Sequence, residues 1–249
     1  MPLSAHPALT TQLLDALRGE AENADRLAVD PLGLVLAACP SGDSRERELG
    51  AYVAAGLAMG NVVAIGRSVT RVLDCWRSGD ALPFTVHRWV RGPDMQHLLD
   101  RLSSLQVRYG SLEGAFLDGY VPGRGVAAGL SRLSALVREG LPPTRGIVSL
   151  SADPADGSAC KRLCLFLRWM VRRDGYDLGL WTRVSPADLI VPLDVHVIAF
   201  ARRYGLTRRA TVNWIMADEV TSHFRALAPG DPLRWDFAIS HYGMMNGWS

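Results

Sequence analysis

Apolar positions recur at helical spacing through most of the chain. This predicts helices over Ala8–Arg18, Ser44–Met59, Asn61–Arg77, Asp94–Tyr109, Leu112–Leu117, Gly125–Arg138, Ser158–Arg173, Val195–Tyr204, Ala210–Leu227 and Pro232–Tyr242. The small residues Gly50, Ala54, Ala55 and Ala58 imply close helix packing at the second of these. Glycine and proline punctuate the gaps, at Gly92-Pro93, Pro122-Gly123, Pro142-Pro143 and Pro229-Gly230 among others. Only Ile147–Ser151 and Leu189–Val191 could be extended, and both are short. The fold class is therefore all-α, in one domain covering 1–249, with no repeats, low-complexity tract or linker.

Composition narrows the function classes. A chain of 249 residues with 48% hydrophobic content can bury a large core. No apolar run approaches the roughly 20 residues that span a bilayer, and Met1 to Arg18 lacks the pattern of a signal peptide. A soluble, cytoplasmic protein without a membrane partner is expected. Cys39, Cys75, Cys160 and Cys164 are too scattered for a disulfide framework or an iron–sulfur site, and are expected to be buried thiols. The six histidines and the carboxylates show no compact ligand spacing, so no metal or other cofactor is expected.

The net charge of +2 is small, but its distribution is uneven. Lys161 to Arg173 contains Lys161, Arg162, Arg168, Arg172 and Arg173, and Val195 to Ala217 contains Arg202, Arg203, Arg208 and Arg209, with no acid in either stretch. A solvated helix face ordinarily intersperses acids with bases, so these stretches favour an anionic partner. On a helical wheel Lys161, Arg168 and Arg172 form one basic stripe opposite Leu163, Phe166, Leu167, Met170 and Val171. Of the 27 basic residues Lys161 is the single lysine. Arginine cannot give up its proton at working pH, whereas lysine can serve as a neutral amine nucleophile. The helix dipole and Arg162 should both lower the Lys161 pKa. Asp156, Gly157 and Ser158 read as the entering turn and N-cap, with backbone N–H groups free for a phosphate.

A second element is Pro192-Leu-Asp-Val-His196, where Asp194 precedes a helical run as an N-cap. Together with Gly157-Ser-Ala-Cys-Lys-Arg-Leu163 and the helix beginning Glu48-Leu-Gly-Ala-Tyr52, it resembles the helix-hairpin-helix DNA glycosylase superfamily. In that superfamily a lysine opens the second helix of a hairpin, and a Val-Asp-Thr-His or Val-Asp-Val-His type motif follows. The hairpin here retains one glycine, Gly157, of the usual two. The Lys161–Asp194 interval is similar to that of the archaeal 8-oxoguanine glycosylase branch, and Phe166-Leu-Arg-Trp-Met-Val-Arg172 resembles a related prokaryotic family without assigned function. No C-terminal cluster of four cysteines follows, which excludes the iron–sulfur subgroup.

The resemblance implies a two-lobed helical fold with the hairpin and catalytic segment at about 150–205, acting as a monomer on double-stranded DNA containing a damaged base. It implies a base-excision glycosylase and β-eliminating AP lyase that removes 8-oxoguanine, with Lys161 as nucleophile and Asp194 as carboxylate partner. Gly157, Ser158, Arg162, Arg168, Arg172 and His196 would contact DNA. Trp235, Asp236, Phe237 and Trp248 are candidates for the base pocket. The alternatives are a helical DNA- or RNA-binding protein without catalysis, which would need the arginines but not Lys161 or Asp194, and a glycosylase for another lesion.

Overall fold

The computed structural model describes residues 9–21, 31–40 and 42–248. Twelve α-helices dominate these residues: α1 (Thr11–Ala21), α2 (Pro31–Ala38), α3 (Ser44–Leu57), α4 (Val62–Ser78), α5 (Gly92–Tyr109), α6 (Leu112–Leu117), α7 (Ala127–Arg138), α8 (Arg145–Leu150), α9 (Lys161–Val171), α10 (Val195–Arg203), α11 (Trp214–Leu227) and α12 (Asp236–Met245). The molecule is all-α apart from one two-stranded antiparallel ribbon, β1 (Thr85–His87) and β2 (Val90–Arg91). Ala8, at which the apolar pattern opens the first helix, lies outside the described residues.

Local chemistry accounts for most helix starts. Asn61, Ser111, Thr144, Asp194 and Asn213 each accept a first-turn backbone N–H through the side chain. Several boundaries shift inward. Helix α11 begins at Trp214 rather than Ala210 because Asn213 caps it, and α9 begins at Lys161 rather than Ser158. The second predicted extended segment stays irregular, because Val191 N–H donates to Thr221 Oγ1 and Arg225 donates to the carbonyls of Ala187 and Leu189. The first is helix instead: Thr144 caps Ile147 N–H, and α8 occupies Arg145–Leu150. Helix α2 and the β-ribbon are absent from the sequence prediction.

Helix α9 is the central element. Its apolar side packs on α3, where the Phe166 ring meets Tyr52 edge-on at 5.1 Å, and the Tyr52 hydroxyl donates to the Leu150 carbonyl of α8. Helix α12 packs against both α1 and α10. The buried apolar side chains form one connected cluster that runs from Leu14 to Ile239. No helix of the described residues is long and apolar enough to cross a membrane.

Inside this core Glu48 of α3 accepts four hydrogen bonds. Oε2 takes Gln106 Nε2 at 3.0 Å and Leu112 N–H at 2.9 Å, while Oε1 takes Trp181 Nε1 at 2.6 Å and Glu113 N–H at 3.3 Å. One buried carboxylate thus ties α3 to α5, to the start of α6 and to the segment after α9. Glu48→Gln turns one acceptor into a donor and leaves the N–H groups on that side unsatisfied. It should cost about 3 kcal/mol of stability, measured by urea unfolding against Glu46→Gln at the partly exposed position one half-turn away.

Candidate active site

Lys161 is the first residue of α9 and Asp194 is the N-cap of α10, and the two line the same cavity. The cavity holds about 160 Å³ and is also lined by Leu165, Arg168, Pro192, Val197, Asp236, Phe237, Ser240, His241 and Met244. Apart from Pro192, in the segment before α10, three elements supply these residues at helical spacing. Lys161, Leu165 and Arg168 are one face of α9, Asp194 and Val197 open α10, and Asp236, Phe237, Ser240, His241 and Met244 are one face of α12.

Asp194 is held at both oxygens. Oδ1 accepts Val197 N–H at 2.7 Å, and Oδ2 accepts the Ser240 hydroxyl in a short hydrogen bond. A close approach of α10 and α12 makes the second contact possible: a Cβ at Gly243 would stand 2.6 Å from His196 Cβ. Lys161 forms neither a hydrogen bond nor an ion pair through its amine among the described residues. Its pKa is lowered from the ordinary 10.5, first by burial and further by Arg162, with Asp194 opposing. The direction agrees with the sequence reading, but desolvation is the leading cause.

The turn into α9 differs from its expected form. A 3-10 turn, Pro154–Asp156, ends in Gly157 at φ 78°, whose N–H donates to Pro154 and whose carbonyl accepts Trp214 N–H. Ser158 does not cap the helix; its hydroxyl accepts Cys160 N–H. Cys160 precedes Lys161 in the left-handed region at φ 47°, a conformation that costs a non-glycine residue roughly 1 kcal/mol or more. The amides of Gly157 and Cys160 are therefore engaged within the turn and are not among the N–H groups open to a phosphate.

Arg168 is on the Lys161 face as expected, but Arg172 falls just past the end of α9 with an extended backbone, and both side chains are buried rather than open to solvent. Arg168 lies 3.3 Å from both Asp177 Oδ2 and Asp236 Oδ2, with its guanidinium over the Phe237 ring. Arg172 pairs with Asp174, Asp177 and Asp231 at 2.8, 2.7 and 3.0 Å. The neutralising acids come from outside the acid-free stretch, so a census confined to that stretch could not find them. Burial pushes the Asp236 carboxyl upward against the pull of Arg168, and pushes Asp177 to about 6.

The remaining expectations divide. Arg162 is half-buried and donates to the Gly56 carbonyl and Ser149 Oγ. His196 Nδ1 donates to the Trp248 carbonyl, so both residues lie beside the cavity without lining it. Trp235 is a core residue, fully buried, with Nε1 on Asp15 of α1. Trp248 packs on Phe200 and Tyr242 under the Arg203 guanidinium. Neither tryptophan lines the cavity, whereas Asp236 and Phe237 do. Leu165, Ser240, His241 and Met244 were missed, although continuing the face of Asp236 and Phe237 along α12 reaches the last three. Among the described residues no group of three His, Cys, Asp or Glu side chains is placed to hold a metal ion.

Comparison with known proteins places residues 30–245 in a family described as "Protein of unknown function (DUF2400)", and the chain belongs to that family. No curated protein and no solved structure matches.

Two expectations separate structural from chemical roles here. Arg168→Ala leaves Asp236 and Asp177 buried without this partner and should destabilise the fold by about 3–5 kcal/mol, read by urea unfolding; an unchanged stability would return this arginine to the surface. Lys161→Gln should do the opposite. The folded amine has a depressed pKa, so the unfolded chain binds the proton more tightly and the charge opposes folding at neutral pH. That variant should melt at or above the wild-type temperature at pH 7.

Proposed function

We propose that this protein is a DNA base-excision glycosylase with AP lyase activity, using Lys161 as nucleophile and Asp194 as its carboxylate partner, and that 8-oxoguanine is its substrate base. The observation that carries the reading is the convergence of the chain's single lysine and the capping aspartate on one small cavity. The cavity is below the roughly 300–1,000 Å³ of sites for drug-sized ligands, which suits a compact group such as one flipped nucleobase. The choice of 8-oxoguanine rests on the resemblance in the Lys161–Asp194 interval.

The chemistry follows from these groups. A neutral Lys161 Nζ attacks C1′ of the flipped nucleotide as the bond from C1′ to the base breaks, and the base leaves with the electron pair and takes up a proton. The Asp194 carboxylate faces the positive charge that develops on the sugar, and its hydrogen bonds to Val197 and Ser240 fix its orientation in advance. The amine loses its proton, O4′ leaves C1′ and is protonated, and a Schiff base forms. Removal of a C2′ proton then expels the 3′ phosphate by β-elimination. Arginine at position 161 could not form the imine.

The rival reading, a binding module built on the two basic stretches, is weakened by the internal pairing of Arg168, Arg172 and Arg209.

Borohydride added to the protein with 8-oxoguanine duplex should yield a covalent protein–DNA adduct, absent in Lys161→Gln. Asp194→Asn should retain most DNA affinity and lose excision by about 100-fold or more, the scale of removing a group aimed at transition-state charge. DNA binding without an adduct on any of a panel of oxidised and alkylated bases would defeat the enzymatic reading. The single-turnover trapping rate should rise with pH through a midpoint below 10.5, because the folded site releases the lysine proton more readily than water does. A midpoint at or above 10.5 would show an amine that the site does not activate.

A further inference from the structure

With Arg168 and Arg172 engaged inside the protein, exposed cations lie on other parts of the surface. Three segments carry arginine and no acid: residues 49–73, 81–93 and 140–152. The fold brings them together, because the β1–β2 ribbon packs against α4, α5 and α8. Arg88 in the ribbon turn, Arg91 on β2 and Arg145 at the start of α8 are all exposed, and none of them forms an ion pair among the described residues.

These guanidiniums are organised by aromatic rings. Arg145 lies 4.2 Å from the centroid of Trp89 and Arg88 lies 5.8 Å from it, while Arg91 lies 5.3 Å from the centroid of Phe84. A guanidinium stacked on a ring can still offer N–H groups to a phosphate and loses little further rotamer entropy on binding one; Arg91 already gives Nη1 to Thr85 Oγ1 at 2.7 Å, which orients it further. The Phe84 residue is 75% exposed, so its ring is open to a stacking partner.

The ribbon is also tied to the catalytic segment. Trp89 Nε1 donates to Ser149 Oγ at 2.9 Å, and the same oxygen accepts Arg162 Nη1 at 2.8 Å, one residue from Lys161. His87 lies 2.8 Å from the Met59 carbonyl and 3.0 Å from Ser68 Oγ, which fixes the ribbon to α4 and to the loop before it. The cationic surface is therefore rigidly coupled to the turn that presents the lysine.

We propose that the ribbon from Phe84 to Arg91, with Arg145, is a DNA-gripping surface beside the Lys161 cavity. Arg88, Arg91 and Arg145 take backbone phosphates, and Phe84 stacks on a base that has lost its pairing. The proposal rests on the glycosylase reading for the identity of the nucleic acid, but not for the grip itself. Charge complementarity selects a polyanion, and the exposed ring selects one whose bases can unstack.

The test is fluorescence anisotropy with labelled duplexes, undamaged or carrying one 8-oxoguanine or one abasic-site analogue, from low to moderate salt. Arg88→Gln with Arg145→Gln should make the slope of log affinity against log salt shallower by about 1.8, at 0.9 per phosphate. Phe84→Ala should weaken binding on the order of 10-fold for the abasic duplex and less for the undamaged one. Arg183→Ala, on an exposed arginine paired with Glu113, is the control and should leave the slope unchanged. Thermal unfolding of each variant beside the titration excludes misfolding, and none of these side chains contributes to the buried core. Wild-type binding with an unaltered slope in the double variant would overturn the grip and leave the lysine chemistry standing. The expected slope change without any borohydride adduct would sustain the grip and overturn the chemistry. Failure of the wild type to bind any duplex would overturn both.

Discussion

The buried ion-pair network around Arg168 and Arg172 is the constraint on which the site depends. Helix α9 carries Lys161 at its first residue and Arg168 on the same face two turns further on, and Arg172 is the C-cap that follows the helix. Asp236 opens α12, so the Arg168–Asp236 pair joins the lysine helix directly to the helix that supplies Ser240. Asp177 bridges the two arginines, and Asp231 receives Arg172 through Nε and Nη2. Charged groups removed from water gain little net stability from one another but are intolerant of displacement. The network therefore acts chiefly on geometry: it sets how α9 and α12 face each other, and the cavity lies between those faces.

The opposite side of α9 is fixed by different means. Phe166 and Leu163 enter the core against α3, and Trp181 beyond the helix reaches Glu48. Apolar packing holds this side without strong directional preference, while the carboxylate of Glu48 supplies the direction by gathering donors from three elements. Helix α9 is thus clamped between an apolar, singly anchored face and a charged, multiply anchored one. Lys161, its first residue, is therefore held on both sides of the helix that carries it.

Much of this was legible in the sequence, and what was not has identifiable reasons. The helical class, the α9 face and the capping role of Asp194 followed from periodicity and from the preference of aspartate for helix starts. Lys161 and Asp194 entered the same hypothesis only through a resemblance, since 33 positions of sequence carry no distance information. The burial of Arg168 and Arg172 was illegible because their partners at 174, 177, 231 and 236 lie outside the helix, three of them in later loops or caps. Trp235 was misread because an aromatic beside an acid looks like a pocket, whereas its indole N–H meets Asp15, 220 residues away in sequence. Helix α8 was misread because four apolar or small residues in a row fit either state, and Thr144 decided between them by capping.

The local strain at Cys160 connects these points to the chemistry. An ordinary helix start would place an Asp, Ser or Thr at this position to satisfy a first-turn amide. Here the N-cap is a buried cysteine that makes no capping bond and is held at positive φ. The turn closes instead through Gly157 and Ser158, and Trp214 N–H fastens the Gly157 carbonyl to α11. A capping carboxylate at position 160 would sit beside the lysine and stabilise its protonated form, opposing the effect of burial. With the cap uncharged, the carboxylate that opposes the lowering of the Lys161 pKa is Asp194, which lines the same cavity and is oriented by two hydrogen bonds. The strained, uncharged cap and the fixed carboxylate are two parts of one arrangement, in which burial lowers the Lys161 pKa while the opposing charge of Asp194 is held in place by two hydrogen bonds.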